Sequence, residues 1–335
     1  MIRWPLAKRL SSIGLDIGSH SLHAAQLCRR GGAWETVAAV SLPRVSPNTP
    51  LSASEIERLR GVLERRGFIG REVSIAVPAT GLLSAMLELP VRAPGVPIES
   101  IAAAEFGRVH KVDPALVSMA TWDLPASARA TKATFAMAVG AKSDALRAHI
   151  DTIESAGLRV CAVDDPLSAV ARGAQHGTPP VGQTAVVDFG HDAVRLAIIH
   201  GHTLAYARTL TDAGTRYARL AAGEATSADP TDIERAFWQH GLRPAEAADT
   251  AMAEVLGGHV DALLREVAQA FGYATRQYPD ASVAVVRLAG GGAMLPGIAD
   301  RFVDVLDVPT TVCGDEKTPA PLTLARGLAL FGVTA

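Results

Sequence analysis

Aromatic residues make up only 5% of this 335-residue chain, too few to build a platform for stacked bases. Charge of one sign is missing as well. With 32 lysines and arginines against 34 aspartates and glutamates, the net charge is −2, so no basic field draws in nucleic acid and a nucleic-acid partner is not expected. Cysteine is scarce: Cys28, Cys161 and Cys313 stand far apart, which gives neither a disulfide framework nor the close pairs of a zinc site and points to a reducing cytosol. No uninterrupted apolar run approaches the ~20 residues that cross a bilayer. The opening MIRWPLAKRL has no apolar core of signal-peptide length. Trp4 among Arg3, Lys8 and Arg9 would suit a membrane surface, although a frayed terminus accounts for it more simply.

What is present is a folded, globular composition, 48% hydrophobic and 20% charged, in a chain long enough for two cores. Half a chain apart it repeats one phrase, IGLDIGSHSLHAAQL from Ile13 to Leu27 and AVVDFGHDAVRLAII from Ala185 to Ile199. In each, an apolar run ends in Asp-apolar-Gly (Asp16-Ile17-Gly18 and Asp188-Phe189-Gly190), a small polar turn follows, and a second apolar run returns. The pattern predicts two β-hairpins in which glycine takes the positive φ of a tight turn. Singly, each Asp would read as the cap of its own turn. Repetition at half-chain distance argues for two copies of one unit instead.

The rest of the chain follows the same plan twice: three strands, then helix, strand, helix, with an insertion in each half. AWETVAAVSLP and GHTLAYARTLT supply the third strands. SASEIERLRGVLERRG predicts a helix capped by Ser52 or Ser54 and stopped by Gly67, and SDALRAHIDTIESAG one capped by Ser143 and stopped by Gly157. A compact α+β subdomain is expected over about 80–142, and a helical insertion over about 214–278. The linker GTPPVG divides a first domain, 11–182, from a second, 183–335.

Two hairpins facing each other would bring the carboxylates of Asp16 and Asp188 to one point. There they could hold a hydrated Mg²⁺ beside a polyphosphate cradled by the turns' backbone N–H groups. AGGGAMLPG, Ala289 to Gly297, follows a strand and precedes a helix, where glycines let backbone approach a ligand. Asp165, before Pro166 at a strand end, could orient an attacking water for phosphoryl transfer or could equally be a helix N-cap. His20 and His23 would point to opposite faces of a strand, which argues against chelation by that pair. His200 and His202 flank Gly201 at an expected hairpin tip.

Taken together, Asp16-Ile17-Gly18-Ser19, Asp188-Phe189-Gly190, Gly290-Gly291-Gly292 with Pro296-Gly297, Asp165-Pro166 and LTLARGLALFG resemble, in order, the motifs of the actin-like ATPase superfamily. Within it, the chain looks most like the PilM-like proteins of type IV pilus assembly. LELP, PIESIAAAEFGRVHKVDP, FAMAVGAKSDALRAHIDTIESAGLRVCAVDDP and LAGGGAMLPGIADRF carry that likeness. The resemblance implies an α/β, actin-like (ribonuclease H-like) fold with two related domains around a nucleotide cleft. ATP and Mg²⁺ would be the cofactors, with Asp16, Gly18, Ser19, His20, Ser21, Asp188, Gly190, His191, Gly214, Gly290, Gly291 and Gly292 against the nucleotide. Asp16 and Asp188 would face the metal, and Asp165 would hold the catalytic place.

The implied role is a cytoplasmic scaffold of a type IV pilus, or a related secretion or competence pilus. It would dock the N-terminal cytoplasmic segment of a PilN-like inner-membrane protein and reach the membrane's inner face through it. Pilus motor ATPases and further copies of the chain would be additional partners. An FtsA-like filament-forming ATPase and a small-molecule kinase are the alternatives. Where such families carry Lys after the first hairpin turn this chain has His23, and His191-Asp192 follow the second Asp-x-Gly where small hydroxyl residues are usual. Both changes imply low or absent hydrolysis.

Overall fold

The computed structural model describes residues 10–78, 81–126, 134–178, 182–243 and 247–333. Its first half opens with β1 (Ile13–Ile17), β2 (Ser21–Arg30) and β3 (Ala33–Pro43), then α1 (Ala53–Arg65) and β4 (Glu72–Ala76). A subdomain follows, consisting of β5 (Leu83–Leu89), α2 (Ile98–His110), β6 (Val117–Asp123) and β7 (Thr134–Lys142). The half closes with α3 (Ser143–Ser155), β8 (Arg159–Asp164) and α4 (Pro166–Gln175).

The second half repeats the plan: β9 (Gln183–Phe189), β10 (Ala193–His200), β11 (Thr203–Thr211), then α5 (Thr215–Thr226), α6 (Pro230–Gln239) and α7 (Ala247–Gln277). It ends with β12 (Val283–Ala289), α8 (Ile298–Leu306), β13 (Thr310–Val312) and α9 (Thr323–Ala329).

The two large sheets have one topology, β3-β2-β1-β4-β8 and β11-β10-β9-β12-β13. In each, a meander of antiparallel strands passes into two parallel ones. Central strands that are covered on both faces read as continuous apolar runs, and β9 is buried from end to end.

Helix starts follow local chemistry. The Ser52 hydroxyl accepts from Glu55 N at the start of α1, and Ile56, Leu59 and Leu63 form its buried stripe. Ser143 corrects the expectation for α3. The N-cap is Lys142, with no side-chain cap, because β7 runs straight into the helix and Ser143 is already its first helical residue. The Ser143 hydroxyl instead pairs with Ser118 at 2.9 Å.

The subdomain sheet, β5-β7-β6, lays one face on α2 through Leu87, Ala102 and Phe106. Leu124, Met137 and Val139 pack with Ala207 of β11, and Trp122 Nε1 donates to Leu204 O at 3.2 Å. The insertion of the first half therefore leans on the second.

The closing helices trade places. α4 covers β9 and β10 of the second sheet through Leu167 and Val170 against Val186, Ala197 and Ile199. α9 returns to β1 of the first sheet, where a Cβ on Gly14 would lie 1.9 Å from Ala325 O. The two helices meet backbone to backbone: a Cβ on Gly327 would lie 1.7 Å from Ala169 O, and one on Gly173 2.1 Å from Thr323 O. At this crossing Arg172 donates to Gly327 O and Arg326 to Gly173 O, both at 2.7 Å.

Candidate functional site

The two hairpin turns are copies of each other at the level of single hydrogen bonds. Gly18 N donates to Ser21 O at 3.0 Å and Gly190 N to Ala193 O at 3.1 Å. Neither glycine has a positive φ, which corrects the turn expected of them. What demands glycine is space, since a Cβ would stand 2.8 Å from Ser21 O in one turn and 2.9 Å from Ala193 O in the other.

The two turns meet. His20 and His191, one from each turn, stack with ring centroids 4.5 Å apart and planes 17° from parallel. Behind them, Asp16 is in register with His23 across β1–β2, and Asp188 with Arg195 across β9–β10. Arg195 Nη1 donates to Asp188 Oδ2 at 2.7 Å. Burial pushes the Asp16 carboxyl up to about 7, with the Arg195 charge opposing that rise and the Asp188 charge adding to it. Asp16 and Asp188 are thus electrostatic neighbours across the two halves.

Asp165 joins them from the start of α4. Its Oδ2 accepts from Ser168 N at 2.8 Å, so the capping role is real, while Oδ1 is buried with no partner among the described residues. Burial raises its pKa, and Arg195 is among the groups that hold it down. The glycine-rich turn arrives from β12. Gly290, at φ 79°, passes so close to the site that a Cβ there would be 2.5 Å from Asp188 Oδ1. Gly292 lies flat against the Phe189 ring, and Gly291 faces open space. Gly214 is the N-cap of α5, pressed against the second turn so that a Cβ would lie 2.2 Å from His191 O.

The remaining expected residues are accounted for differently. Ser19 O accepts from Asn48 N at 2.8 Å, which ties the first turn to the loop after β3. The Ser21 hydroxyl is bound to His23 Nε2 at 2.8 Å, and His23 Nδ1 is bound to Ser41 Oγ at 2.8 Å. Burial pulls the His23 pKa down to about 4, so the imidazole is neutral at pH 7. His20 is in the turn and not in β2, and its ring goes to His191 while that of His23 goes to the two serines, so the two rings face different partners. Among the described residues no group of three or more His, Cys, Asp or Glu side chains is placed to hold a metal. A hydrated ion on two carboxylates needs no such group. His200 and His202 flank the β10–β11 turn, where the His200 ring stacks on Tyr278 at 5.0 Å.

Three arginines escaped the sequence reading. Arg216 Nη1 lies 3.6 Å from Asp192 Oδ1. Arg219 lies 3.4 Å from His191 Nδ1 and is held by Glu234 at 3.1 Å. The third, Arg195, had a signal in the sequence: it stands seven residues after Asp188, as His23 stands seven after Asp16.

The signature of a family described as "Type IV pilus assembly protein PilM" matches residues 14–317. A comparison with curated protein sequences gives no match. Among solved structures, the "PilM-PilN type IV pilus biogenesis complex" is similar at TM-score 0.78 and 20% identity, over 98% of this chain and 100% of that one. MreB5 of Spiroplasma citri bound to ADP is similar at TM-score 0.54 and 12% identity, over 97% and 96%. A glucokinase of the ROK family from Streptomyces griseus, in complex with glucose and AMPPNP, reaches TM-score 0.52 and 14% identity, over 95% and 98%. The fold is that of the actin-like ATPases. With the family signature covering most of its length, the chain belongs to the type IV pilus assembly protein PilM family.

Proposed function

We propose that this protein is an ATP-binding scaffold of type IV pilus assembly which docks the N-terminal cytoplasmic segment of a PilN-like inner-membrane protein. The observation that carries the nucleotide reading is the meeting of Asp16, Asp188, Asp165 and the Gly290 turn at the crossing of the two halves. Solved neighbours with this fold hold ADP or AMPPNP. The backbone N–H groups of the two turns suit phosphate oxygens. Mg²⁺, held by Asp16 and Asp188, would supply the positive charge that lets a triphosphate sit beside carboxylates. Asp165 Oδ1 is the acceptor available to a water, but His23 is neutral and its ring is spent on Ser21 and Ser41. Hydrolysis would be slow or absent on this reading, since the first hairpin offers no cation to the transferring phosphate and phosphoryl transfer depends on where such charge is placed.

The partner reading is supported by family membership and by the likeness to the PilM–PilN complex. On this reading the peptide would dock beside the inserted subdomain, which carries exposed Met86, Val91 and Leu116. No helix of the described residues is long and apolar enough to cross a membrane, so attachment to the inner face would run through the partner.

A thermal-shift titration tests both parts. Mg·ATP is expected to stabilise the protein, by about 2.7 kcal/mol at a hundredfold excess over Kd. Asp16→Ala and Asp188→Ala are expected to abolish that shift, and the partner's N-terminal peptide to add its own. No shift with Mg·ATP sinks the nucleotide reading, and none with the peptide sinks the docking.

A further inference from the structure

We propose that Arg195 is the phosphate-binding cation of this cleft, supplied by the second hairpin in the place that His23 leaves without charge in the first. The proposal rests on the nucleotide reading above and gives it a residue the family motifs do not include. Its ground is pseudo-symmetry together with contact. His23 and Arg195 occupy the same register position opposite the leading aspartates, Asp16↔His23 and Asp188↔Arg195. A cation at one of the two positions reaches the same cleft as a cation at the other.

The guanidinium is where phosphates would have to be met. It donates to Asp188 Oδ2 at 2.7 Å and lies under the second turn, 3.9 Å from where a Cβ on Gly190 would be. Three carboxylates from three elements act on it: Asp188 of β9, Asp16 of β1 and Asp165 at the head of α4. Its side chain is one-fifth exposed.

The other arginines near the turns are otherwise engaged. Arg219 is held by Glu234 and packed over Phe237 and Trp238, and Arg216 faces Asp192. Arg172 is spent on Asp164 and Gly327 O. Among the described residues, the hydrogen-bonding partner of the Arg195 side chain is a metal-candidate carboxylate, Asp188. A divalent ion that takes over the charge of Asp188 would leave the guanidinium fork free for phosphate oxygens, the ligand its planar geometry fits best.

The experiment is calorimetric binding of ATP, ADP and adenosine, each with Mg²⁺, to the full chain and to Arg195→Gln, Arg195→Lys and the double variant His23→Lys with Arg195→Gln. Arg195→Gln is expected to weaken ATP by about tenfold or more, the size of a charge-assisted hydrogen bond, and to leave adenosine unchanged. The double variant should recover part of the loss. A folded Arg195→Gln protein that binds ATP as the parent does overturns the proposal and leaves the nucleotide reading standing. A parent that binds no nucleotide overturns both.

Should Arg195→Gln not fold, Arg195→Lys decides. It keeps the charge and loses the fork, so an ATP-to-adenosine affinity ratio about threefold or more below the parent's is expected, and an unchanged ratio overturns the proposal.

Discussion

Seven residues past its leading aspartate, the first half of this protein carries His23 and the second carries Arg195. Around those positions the halves are copies: one strand order, one turn hydrogen bond, one glycine pressed against a carbonyl. The shared features are steric, and the divergent ones are electrostatic. A backbone in close contact tolerates no replacement, whereas a side chain aimed into a cleft can change charge so long as the cleft's total stays workable. One half thus keeps a neutral imidazole locked by two serines, and the other holds a permanent cation on a buried carboxylate.

The largest effect is expected where the halves exchange helices. Gly327→Ala would set a Cβ 1.7 Å from Ala169 O, which no rotamer relieves, while Gly291→Ala meets nothing within 4 Å. Denaturant unfolding should show Gly327→Ala destabilised by about 3 kcal/mol or more and Gly291→Ala within about 0.5 kcal/mol. Equal effects would mean that the crossing does not bind the halves together.

A second effect is read by pH, measured without nucleotide or metal. Asp16 in the folded protein titrates near 7 against 3.8 as a free side chain. The folded state therefore holds the extra proton, and stability falls as pH rises from about 4 to 7. His23, lowered from 6.5 to about 4, has the opposite sign: the unfolded state takes the proton first, so stability is lost as pH falls from about 6.5 to 4. His191, also lowered to about 4, adds to that acid-side loss. Asp16→Asn should remove the decline toward neutral pH, and His23→Asn should reduce the acid-side loss. Stability profiles of the two variants that overlay the parent's would show that the first hairpin is not buried as described. The Arg195 cation gives no slope in this range, because burial does not prevent its carboxylate neighbours from raising its pKa further.

The smallest effect is the contact of the turns themselves. A double-mutant cycle of His20→Ala and His191→Ala should return a coupling of about 0.5–1.5 kcal/mol, the range for a ring pair at this distance. A coupling near zero would place the turns apart in solution.

Much of this was legible in the residues. Both hairpins and the order of strands and helices followed from apolar periodicity and from one repeated phrase, while the family likeness came from resemblance, motif by motif, to known chains. Ser52 was readable as a cap, whereas Ser143 was not, since whether a serine precedes a helix or begins it depends on the strand that feeds it. The glycines of the turns were singled out for the wrong reason: sequence suggests torsion, and the structure shows crowding. The two roles open to Asp165 divide between its oxygens, one capping α4 and the other buried without a partner among the described residues. Arg195 matches His23 in spacing from its aspartate, but a lone arginine inside an apolar strand carries no local mark of the carboxylates it meets.

By itself, then, the sequence determined strand and helix from local pattern, the duplication from a phrase repeated at half-chain distance, and the family from motifs along its length. Tertiary structure alone decided which charges share a cleft. It set α4 on the second sheet and α9 on the first, stacked His20 on His191, and put Arg195 among carboxylates from three elements. His20 and His191 are 171 positions apart and Asp16 and Arg195 are 179, and the energies of all these contacts depend on burial and distance in space, quantities that no local pattern encodes.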